Sequence, residues 1–425
     1  MLLKSKIIGI YILLVFSTGY TFAQHSKHAS AEEKDVIGND STDISEEIDN
    51  TLDEMLNSWV MERSTPSPCE SSDVPESVPD DVYKERLSKL PCLMEMPFNS
   101  VIRSYIELYT VRKRRQVEFM MGMSDYYFPK FEEILGASNM PLELKYLPVI
   151  ESALHATAVS RAGAAGLWQF MIGTGKMYGL EINSLVDERL DPVKATKVAA
   201  RYFKDLYTIY GDWNLVIAAY NCGPGNVNKA IRRSGGKRDY WTIYPYLPRE
   251  TRGYVPTFVA ANYTMHYAKE HNLCAANVHM PAITDTIMVH QRIHLGQVAD
   301  ILNLPIEGLR LLNPQYKRDI VPGDIKPYAL ILPQNYINPF MDKYEQIISY
   351  KADSLINNRR LEIEIPQSAP LSPGNSGKVV YHKVKRGETI SEIADRYGVS
   401  VSKIKKWNHI RKSVVKKGQR IKIIK

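Results

Sequence analysis

Hydrophobic residues recur at helical spacing through the middle of the chain. Four apolar residues stand at i, i+3, i+4 and i+7: Ile102, Tyr105, Ile106 and Tyr109. Asp191-Pro192 is an N-cap residue followed by proline at the first helical position, and Gly211 ends the apolar pattern that follows. Asp212 begins the next helix, which ends at Gly223. The pattern predicts an all-α domain over residues 82–275.

Short apolar strands replace long helices in the last third of the chain. Residues 283–333 alternate between the two kinds of pattern in the order strand, helix, helix, strand. A helix and a linker rich in Pro, Ser and Gly are predicted over residues 334–378. Residues 379–425 repeat the order of the earlier segment, as a weak internal duplication. The predicted fold class is multidomain, with a mainly α domain followed by two small α+β modules of βααβ order.

The N-terminus has the layout of a secretory signal peptide over residues 1–23. Lys4 and Lys6 precede an apolar run that is too short for a transmembrane helix, and cleavage is expected after Ala23. The first cysteine is Cys69, so a lipid anchor on a cysteine at the cleavage site is not supported. Residues 24–81 are rich in Asp, Glu and Ser and predict an acidic, largely disordered tether. We therefore expect an exported protein of the periplasm or cell envelope.

Charge is distributed unevenly along the 425 residues, whose formal net charge is +7. Residues 378–425 hold fifteen Lys or Arg and three Asp or Glu, a local charge of +12. Such a tail favours association with an anionic cell-envelope surface, although plain solubilising charge is the alternative. Export counts against a nucleic-acid partner. So does the small number of aromatic residues in this tail that could stack on bases, chiefly Tyr397 and Trp407.

The cysteines and histidines predict no metal site and no cofactor. Four cysteines suit an exported protein with a large core, and their pairing stays open: a Cys69–Cys92 bridge is favoured over Cys222–Cys274. The ten histidines lack the spacing that places metal ligands on one face of a helix.

One carboxylate stands in an apolar stretch, "LPVIESALH" (Leu147 to His155). Most helical glutamates are solvated, and position alone favours that interpretation for Glu151. If Glu151 instead lies in an apolar pocket, loss of hydration raises its pKa and keeps it protonated near neutral pH.

Three further motifs follow Glu151-Ser152 in order. They are Gly166-Leu167-Trp168-Gln169, Ala219-Tyr220-Asn221, and Glu250-Thr251 with Tyr254-Val255. Together the four resemble the lytic transglycosylase family of the goose-type lysozyme superfamily, over roughly residues 97–271. The chain departs from the family pattern at Cys222, where alanine is usual, and at Ile172, where proline is common.

The resemblance implies a lysozyme-like catalytic domain with a single catalytic glutamate, Glu151. It would act as general acid and then general base, cleaving the MurNAc-GlcNAc β-1,4 bond of peptidoglycan with formation of 1,6-anhydroMurNAc ends. The substrate-binding candidates are Ser152, Ser160, Gly166, Gln169, Tyr220, Asn221 and Tyr254. The alternative roles are core packing for the two tyrosines and loop or cap hydrogen bonding for the polar residues.

The last segment contains the motifs Gly387-Glu388-Thr389-Ile390, Tyr397-Gly398-Val399, Trp407-Asn408 and Gly418-Gln419. With these motifs it resembles a LysM module, a domain that binds the N-acetylglucosamine backbone of glycans. The resemblance implies peptidoglycan glycan strands as partner and the glycan-binding candidates Gly387, Thr389, Ile390, Trp407 and Asn408. Residues 283–333 look like a degenerate second LysM copy.

Two other functions remain open from the sequence. One is a hydrolytic muramidase of the same superfamily, which would deliver water to the anomeric carbon. The other is a non-catalytic peptidoglycan-binding protein. The oligomeric state is also open.

Overall fold

The computed structural model describes residues 64–65, 78–278, 280–281, 283–357, 379–384, 388–397, 399–408, 410, 415 and 418–424. The predicted signal peptide, most of the tether, residues 358–378 of the predicted linker, and Gly387 lie outside these residues. The chain forms two compact units, which divide after residue 360.

The helical region of the first unit lies between residues 80 and 266. Its helices are α1 Asp80–Ser88, α2 Ser100–Glu107, α3 Arg114–Ala137, α4 Leu147–Ser152, α5 Ile172–Met177, α6 Pro192–Tyr210, α7 Trp213–Cys222, α8 Pro224–Arg233, α9 Tyr240–Ile243 and α10 Arg249–His266. Asp191 caps α6 by accepting hydrogen bonds from the backbone of Val193 and Lys194, both at 2.9 Å, and Gly211 ends it with φ 66°. Asp212 caps α7 in the same way. The predicted mainly α domain is confirmed.

The core of this region is built from aromatic and aliphatic side chains. The four residues that predicted α2 and its continuation are all fully buried: Ile102, Tyr105, Ile106 and Tyr109. The Trp168 indole packs against Phe131 and Phe203 at centroid distances of 5.6 and 5.9 Å, and its N–H donates to Thr196 Oγ1 at 2.8 Å. One short ladder joins β1 Ser64–Thr65 to β2 Asn277–Val278 in antiparallel register.

The first βααβ module follows in the same unit. Its strands are β3 Thr284–Val289, β4 Arg292–His294, β5 Ile320–Pro322 and β6 Tyr328–Pro333, and its helices are α11 Leu295–Leu302, α12 Ile306–Leu312, α13 Ile337–Asp342 and α14 Tyr344–Ser349. β3 pairs with β6 and β4 pairs with β5, both antiparallel. The buried Gln297 amide donates to the Ile348 and Tyr350 carbonyls, at 3.2 and 2.7 Å, and so ties the end of the module to α11.

The second unit contains the C-terminal module, with strands β7 Val379–Lys383 and β8 Arg420–Ile424 and helices α15 Ile390–Tyr397 and α16 Val401–Trp407. The two modules share one pattern of hydrogen bonds, between an asparagine side chain after the second helix and the backbone of the last strand. Asn313 donates to the Ile331 carbonyl at 2.8 Å and accepts from the Ile331 N–H at 2.8 Å. Asn408 makes the same pair of bonds with Lys422, at 2.7 and 2.6 Å. The predicted α+β modules are confirmed.

Both disulfide bridges considered from the sequence are wrong. Cys92 and Cys222 carry free thiols, whereas Cys274 is disulfide-bonded and Cys69 lies outside the described residues. Among the described residues, none of the helices has the length and apolar character needed to cross a membrane. Within the same residues, His, Cys, Asp and Glu side chains form no group that could hold a metal ion.

Candidate active site

Glu151 lies in the last turn of the short helix α4. The chain then turns sharply through Ala153 and Leu154, two buried residues with left-handed backbone angles, φ 50° and φ 60°. Left-handed geometry at non-glycine residues is strained and persists only where surrounding packing imposes it. The turn ends the helix directly after Glu151-Ser152, so that the helix terminus carries the carboxylate.

The Glu151 side chain is half-buried, and its carboxyl group contacts one phenol. Tyr254 on α10 donates a hydrogen bond from its hydroxyl to Glu151 Oε1. Burial raises the pKa of Glu151 to about 7, although the bond from Tyr254 acts in the opposite direction because it favours the ionised form. Burial also raises the pKa of the Tyr254 phenol, so Tyr254 stays protonated and acts as a donor.

The loop of residues 158–170, here called the site loop, packs beside α4. Ser152 Oγ donates to the Leu167 carbonyl of this loop at 3.0 Å and to the Pro148 carbonyl at 3.0 Å. Tyr220 on α7 donates to the Trp168 carbonyl at 2.6 Å. These two hydroxyls thus fix the site loop at the carbonyls of Leu167 and Trp168.

A buried ion pair holds the other face of the site loop. Arg189 binds the Asp187 carboxylate through Nε at 2.9 Å and Nη2 at 2.8 Å, and both side chains are almost fully buried. The Arg189 Nη1 group donates to the carbonyls of Gly163 at 2.8 Å and Phe170 at 3.0 Å. Such a bidentate pair is rigid, so the Arg189 guanidinium holds the Gly163 and Phe170 carbonyls at a fixed distance from each other.

Gly166 is required by the close approach of the loop to this ion-paired segment. Its φ is 84°, and a Cβ atom at this position would lie 1.9 Å from the Arg189 carbonyl oxygen. The glycine allows the backbone contact with Arg189, and the contact of Gly166 with substrate stays a prediction.

Three other residues predicted to contact substrate form hydrogen bonds that hold the site loop in place. Ser152 is fully buried, and its hydroxyl is used by two carbonyls. Ser160 Oγ accepts from the Ala164 N–H at 3.0 Å and closes a turn within the site loop. The Tyr220 hydroxyl donates to Trp168 rather than to Glu151. These hydrogen bonds show that the three residues position the site, and their contact with substrate stays a prediction.

Gln169 and Asn221 remain close to the predicted role. Gln169 has φ 46° and donates from Nε2 to the carbonyls of Gly166 at 2.8 Å and Ala158 at 3.2 Å. Asn221 is exposed at the end of α7, where its Oδ1 accepts from the buried Thr251 hydroxyl at 2.9 Å. Both amides are therefore held in one orientation by neighbouring backbone or side-chain groups.

Two predicted glycan ligands of the C-terminal module, Ile390 and Asn408, make contacts within the module, and their contact with glycan stays a prediction. The Ile390 side chain is 2% exposed and belongs to the module core. The Asn408 amide is used by the Ile404 and Lys422 carbonyls and by the Lys422 N–H. Thr389 is exposed and Trp407 is half-buried against the core, so both remain predictions.

Sequence reasoning missed Arg189, Asp187 and Thr251. Arg189 and Asp187 stand two residues apart in "DERLDP", where only the Asp-Pro cap drew attention. Residues at i and i+2 do not face each other on a helix, so nothing in the local pattern indicates a pair. Thr251 belongs to the Glu250-Thr251 motif, and its buried hydroxyl could have been predicted as a partner for an exposed amide.

The arrangement can transfer one proton in each direction. A carboxyl group with a pKa of about 7 is present in both forms near neutral pH, so it can donate a proton and take one back. Its pKa reflects burial and the Tyr254 bond alone, and among the described residues no second carboxylate contributes to it.

Three family models match the chain. Residues 131–243 match the transglycosylase SLT domain, residues 283–349 match the LysM-like domain of lytic transglycosylase MltD, and residues 382–423 match the LysM domain. The matches divide the chain into one domain that contains Glu151 and two modules that follow it.

Relatives with the same descriptions cover different parts of the chain. The membrane-bound lytic murein transglycosylase D of Escherichia coli (strain K12) is 31% identical over 340 residues, which are 78% of this chain and 70% of that protein. The soluble lytic murein transglycosylase of the same strain is 34% identical over 116 residues, 26% of this chain and 18% of that protein.

Solved structures with similar segments include two lytic transglycosylases. The 70-kDa soluble lytic transglycosylase from Escherichia coli gives a TM-score of 0.33 at 18% identity, over 60% of this chain and 49% of that one. An inactive mutant of the lytic transglycosylase Slt from Pseudomonas aeruginosa gives 0.29 at 23% identity, over 35% of this chain and 25% of that one.

Proposed function

The chain belongs to the family of membrane-bound lytic murein transglycosylase D, and from that premise we propose that Glu151 is its catalytic residue. The proposed reaction is cleavage of the MurNAc-GlcNAc β-1,4 bond of peptidoglycan. The observation that carries the proposal is a half-buried carboxyl group with a pKa of about 7, hydrogen-bonded to the protonated phenol of Tyr254.

In the first step the protonated Glu151 carboxyl group gives its proton to the glycosidic oxygen. The bond between that oxygen and the anomeric carbon of MurNAc breaks, and positive charge develops on the sugar ring. The Tyr254 hydroxyl stabilises the new carboxylate, because a hydrogen bond to the ionised form favours it.

In the second step the Glu151 carboxylate takes the proton of the C6 hydroxyl of the same MurNAc residue. The hydroxyl oxygen attacks the anomeric carbon and forms the 1,6-anhydro bond, and Glu151 ends protonated as it began. No water enters the products, so a second carboxylate to activate water has no task. This agrees with a pKa to which no other carboxylate contributes among the described residues.

Substrate contacts are assigned to the two amides that the framework holds at the site. We assign Gln169 and Asn221 to sugar hydroxyl or acetamido groups, since their orientation is fixed before substrate binds. Thr389 and Trp407 of the C-terminal module are assigned to glycan binding, which would hold the enzyme on murein. Export to the periplasm or envelope remains part of this proposal.

Mass spectrometry of digested murein tests the proposal. We expect 1,6-anhydroMurNAc ends from the wild-type protein and none from Glu151→Gln, in which the amide cannot carry the proton. Reducing ends, heavier by one water, would instead establish the hydrolytic muramidase. Binding to murein sacculi without release of soluble products would establish a non-catalytic binding protein.

A further inference from the structure

The two βααβ modules differ in the segment that follows their second helix. The shared asparagines align the modules: α11 and α12 lie 95 residues before α15 and α16 with the same lengths. The partner of Asn313 in the last strand is 18 residues further along the chain, whereas the partner of Asn408 is 14 residues further. The first module therefore has four additional residues in this segment, which contains β5.

The longer segment contacts residues 183–187 of the helical region, next to the Asp187–Arg189 ion pair. The Asp187 N–H donates to the Gln315 carbonyl at 2.9 Å, and the Lys317 N–H donates to the Leu185 carbonyl at 2.7 Å. The Lys317 ammonium donates to the Asn183 carbonyl at 3.0 Å and lies 3.7 Å from the Asp187 carboxylate. The module thus contacts both the backbone and the carboxylate of the residue that binds Arg189.

A second pair of contacts lies at the start of the same helical-region loop. Tyr328 on β6 donates to Glu181 Oε1 at 2.6 Å, and the Lys326 ammonium lies 2.7 Å from Glu181 Oε2. The Glu181 N–H donates to Glu188 Oε2 at 2.7 Å, and the Glu188 N–H donates to the Glu181 carbonyl at 2.9 Å. The loop of residues 181–189 is therefore fixed by the module at both ends.

In the first module, the residues that correspond to the predicted LysM glycan site make contacts within the module. His294 stands at the position of Thr389, 95 residues earlier, but it is buried, whereas Thr389 is exposed. Its strand β4 pairs with β5, with His294 opposite Ile320 and Arg292 opposite Pro322. The longer segment thus covers this turn with its own strand.

We propose that the first module positions the site loop and does not bind glycan. Lys317, Lys326 and Tyr328 are then positioning residues: they hold residues 181–189, whose Asp187–Arg189 pair holds the carbonyls of Gly163 and Phe170. This inference rests on the proposed function, since it concerns the geometry around Glu151.

The test compares variants of the full-length protein on soluble glycan strands. The double variant Lys317→Ala/Lys326→Ala removes both ammonium contacts. Lys351→Ala is the matched control, because the Lys326 and Lys351 side chains are each 54% exposed and Lys351 pairs within the module, with Asp300 at 3.3 Å. Tyr328→Phe removes one hydroxyl, and Tyr336→Phe is its control. The measurements are kcat, KM, affinity for sacculi and thermal unfolding.

We expect kcat of the double variant to fall roughly tenfold to a hundredfold, as for a site loop displaced by about 1 Å, with KM and affinity for sacculi changed less than about twofold. Tyr328→Phe should have a lower kcat than wild type while remaining folded. Lys317→Arg/Lys326→Arg, which keeps both positive charges, should have most of the wild-type kcat. A kcat equal to that of the controls in both interface variants would overturn the inference. A loss of affinity for sacculi at unchanged kcat would also overturn it, by making the module a glycan binder. If the wild type itself releases no anhydro-muropeptides, the proposed function fails instead.

Discussion

Replacing Glu151 by glutamine is expected to stabilise the protein at neutral and alkaline pH. The unfolded chain ionises Glu151 near its ordinary pKa of 4.5, while the folded protein holds the proton up to about pH 7. Between these values the folded state binds more protons, so wild-type stability falls as pH rises. Glutamine does not titrate and keeps an oxygen that can accept the Tyr254 hydrogen bond.

The size of the effect follows from the pKa difference. A pKa raised from 4.5 to about 7 corresponds to about 3 kcal/mol of unfolding free energy. Wild type and Glu151→Gln should therefore have similar stability below about pH 4.5, and the variant should be more stable by about 3 kcal/mol above about pH 8. Urea unfolding at a series of pH values, followed by tryptophan fluorescence, measures the difference, since Trp168 lies in the core of the helical region.

Glu250→Gln is the control, because it makes the same chemical change at an exposed carboxylate in the first turn of α10. Its effect should stay below about 1 kcal/mol. A difference between wild type and Glu151→Gln that is independent of pH would refute the assignment of Glu151 to a desolvated site. A wild type more stable than the variant at pH 8 would refute it as well.

Other substitutions distinguish effects on proton transfer or glycan binding from effects on folding stability. Tyr254→Phe should raise the pKa of Glu151 further, because the lost bond favours ionisation, and the alkaline limb of the kcat/KM profile should move to higher pH. Ser152→Ala should cost about 1–3 kcal/mol of unfolding free energy, measured by urea titration, by leaving a buried carbonyl unpaired. Asn408→Ala should lower the melting temperature of the C-terminal module, whereas Thr389→Ala should weaken sacculus binding in a pull-down without changing that temperature.

The helices of the first unit could be predicted well from the sequence. Their boundaries depend on local chemistry: the Asp191 and Asp212 side chains cap backbone N–H groups, and Gly211 adopts a left-handed conformation at little cost. Such signals lie within a few residues of the feature that they predict. The same holds for the βααβ order of the two modules.

The roles of the motif residues could not be predicted in the same way. Ser152 and Tyr220 have hydroxyls that suit a sugar ligand, yet both donate to carbonyls of the site loop, which is distant in sequence from Tyr220. Gly166 is explained by Arg189, 23 residues later, whose carbonyl leaves no space for a side chain. A motif marks a place in the site, but which atom meets substrate depends on contacts that only the folded chain defines.

A mechanism with one carboxylate places strict demands on the framework. A glycosidase with two carboxylates divides protonation and nucleophile activation between them, whereas Glu151 would have to serve the leaving oxygen and then the C6 hydroxyl. Both transfers require hydrogen-bond distance, so small displacements of the site loop relative to α4 reduce the rate steeply. This explains why hydroxyls of Ser152 and Tyr220 and the Arg189 guanidinium all bind backbone carbonyls of that loop. A module that holds Asp187 extends the same positioning function beyond the catalytic domain.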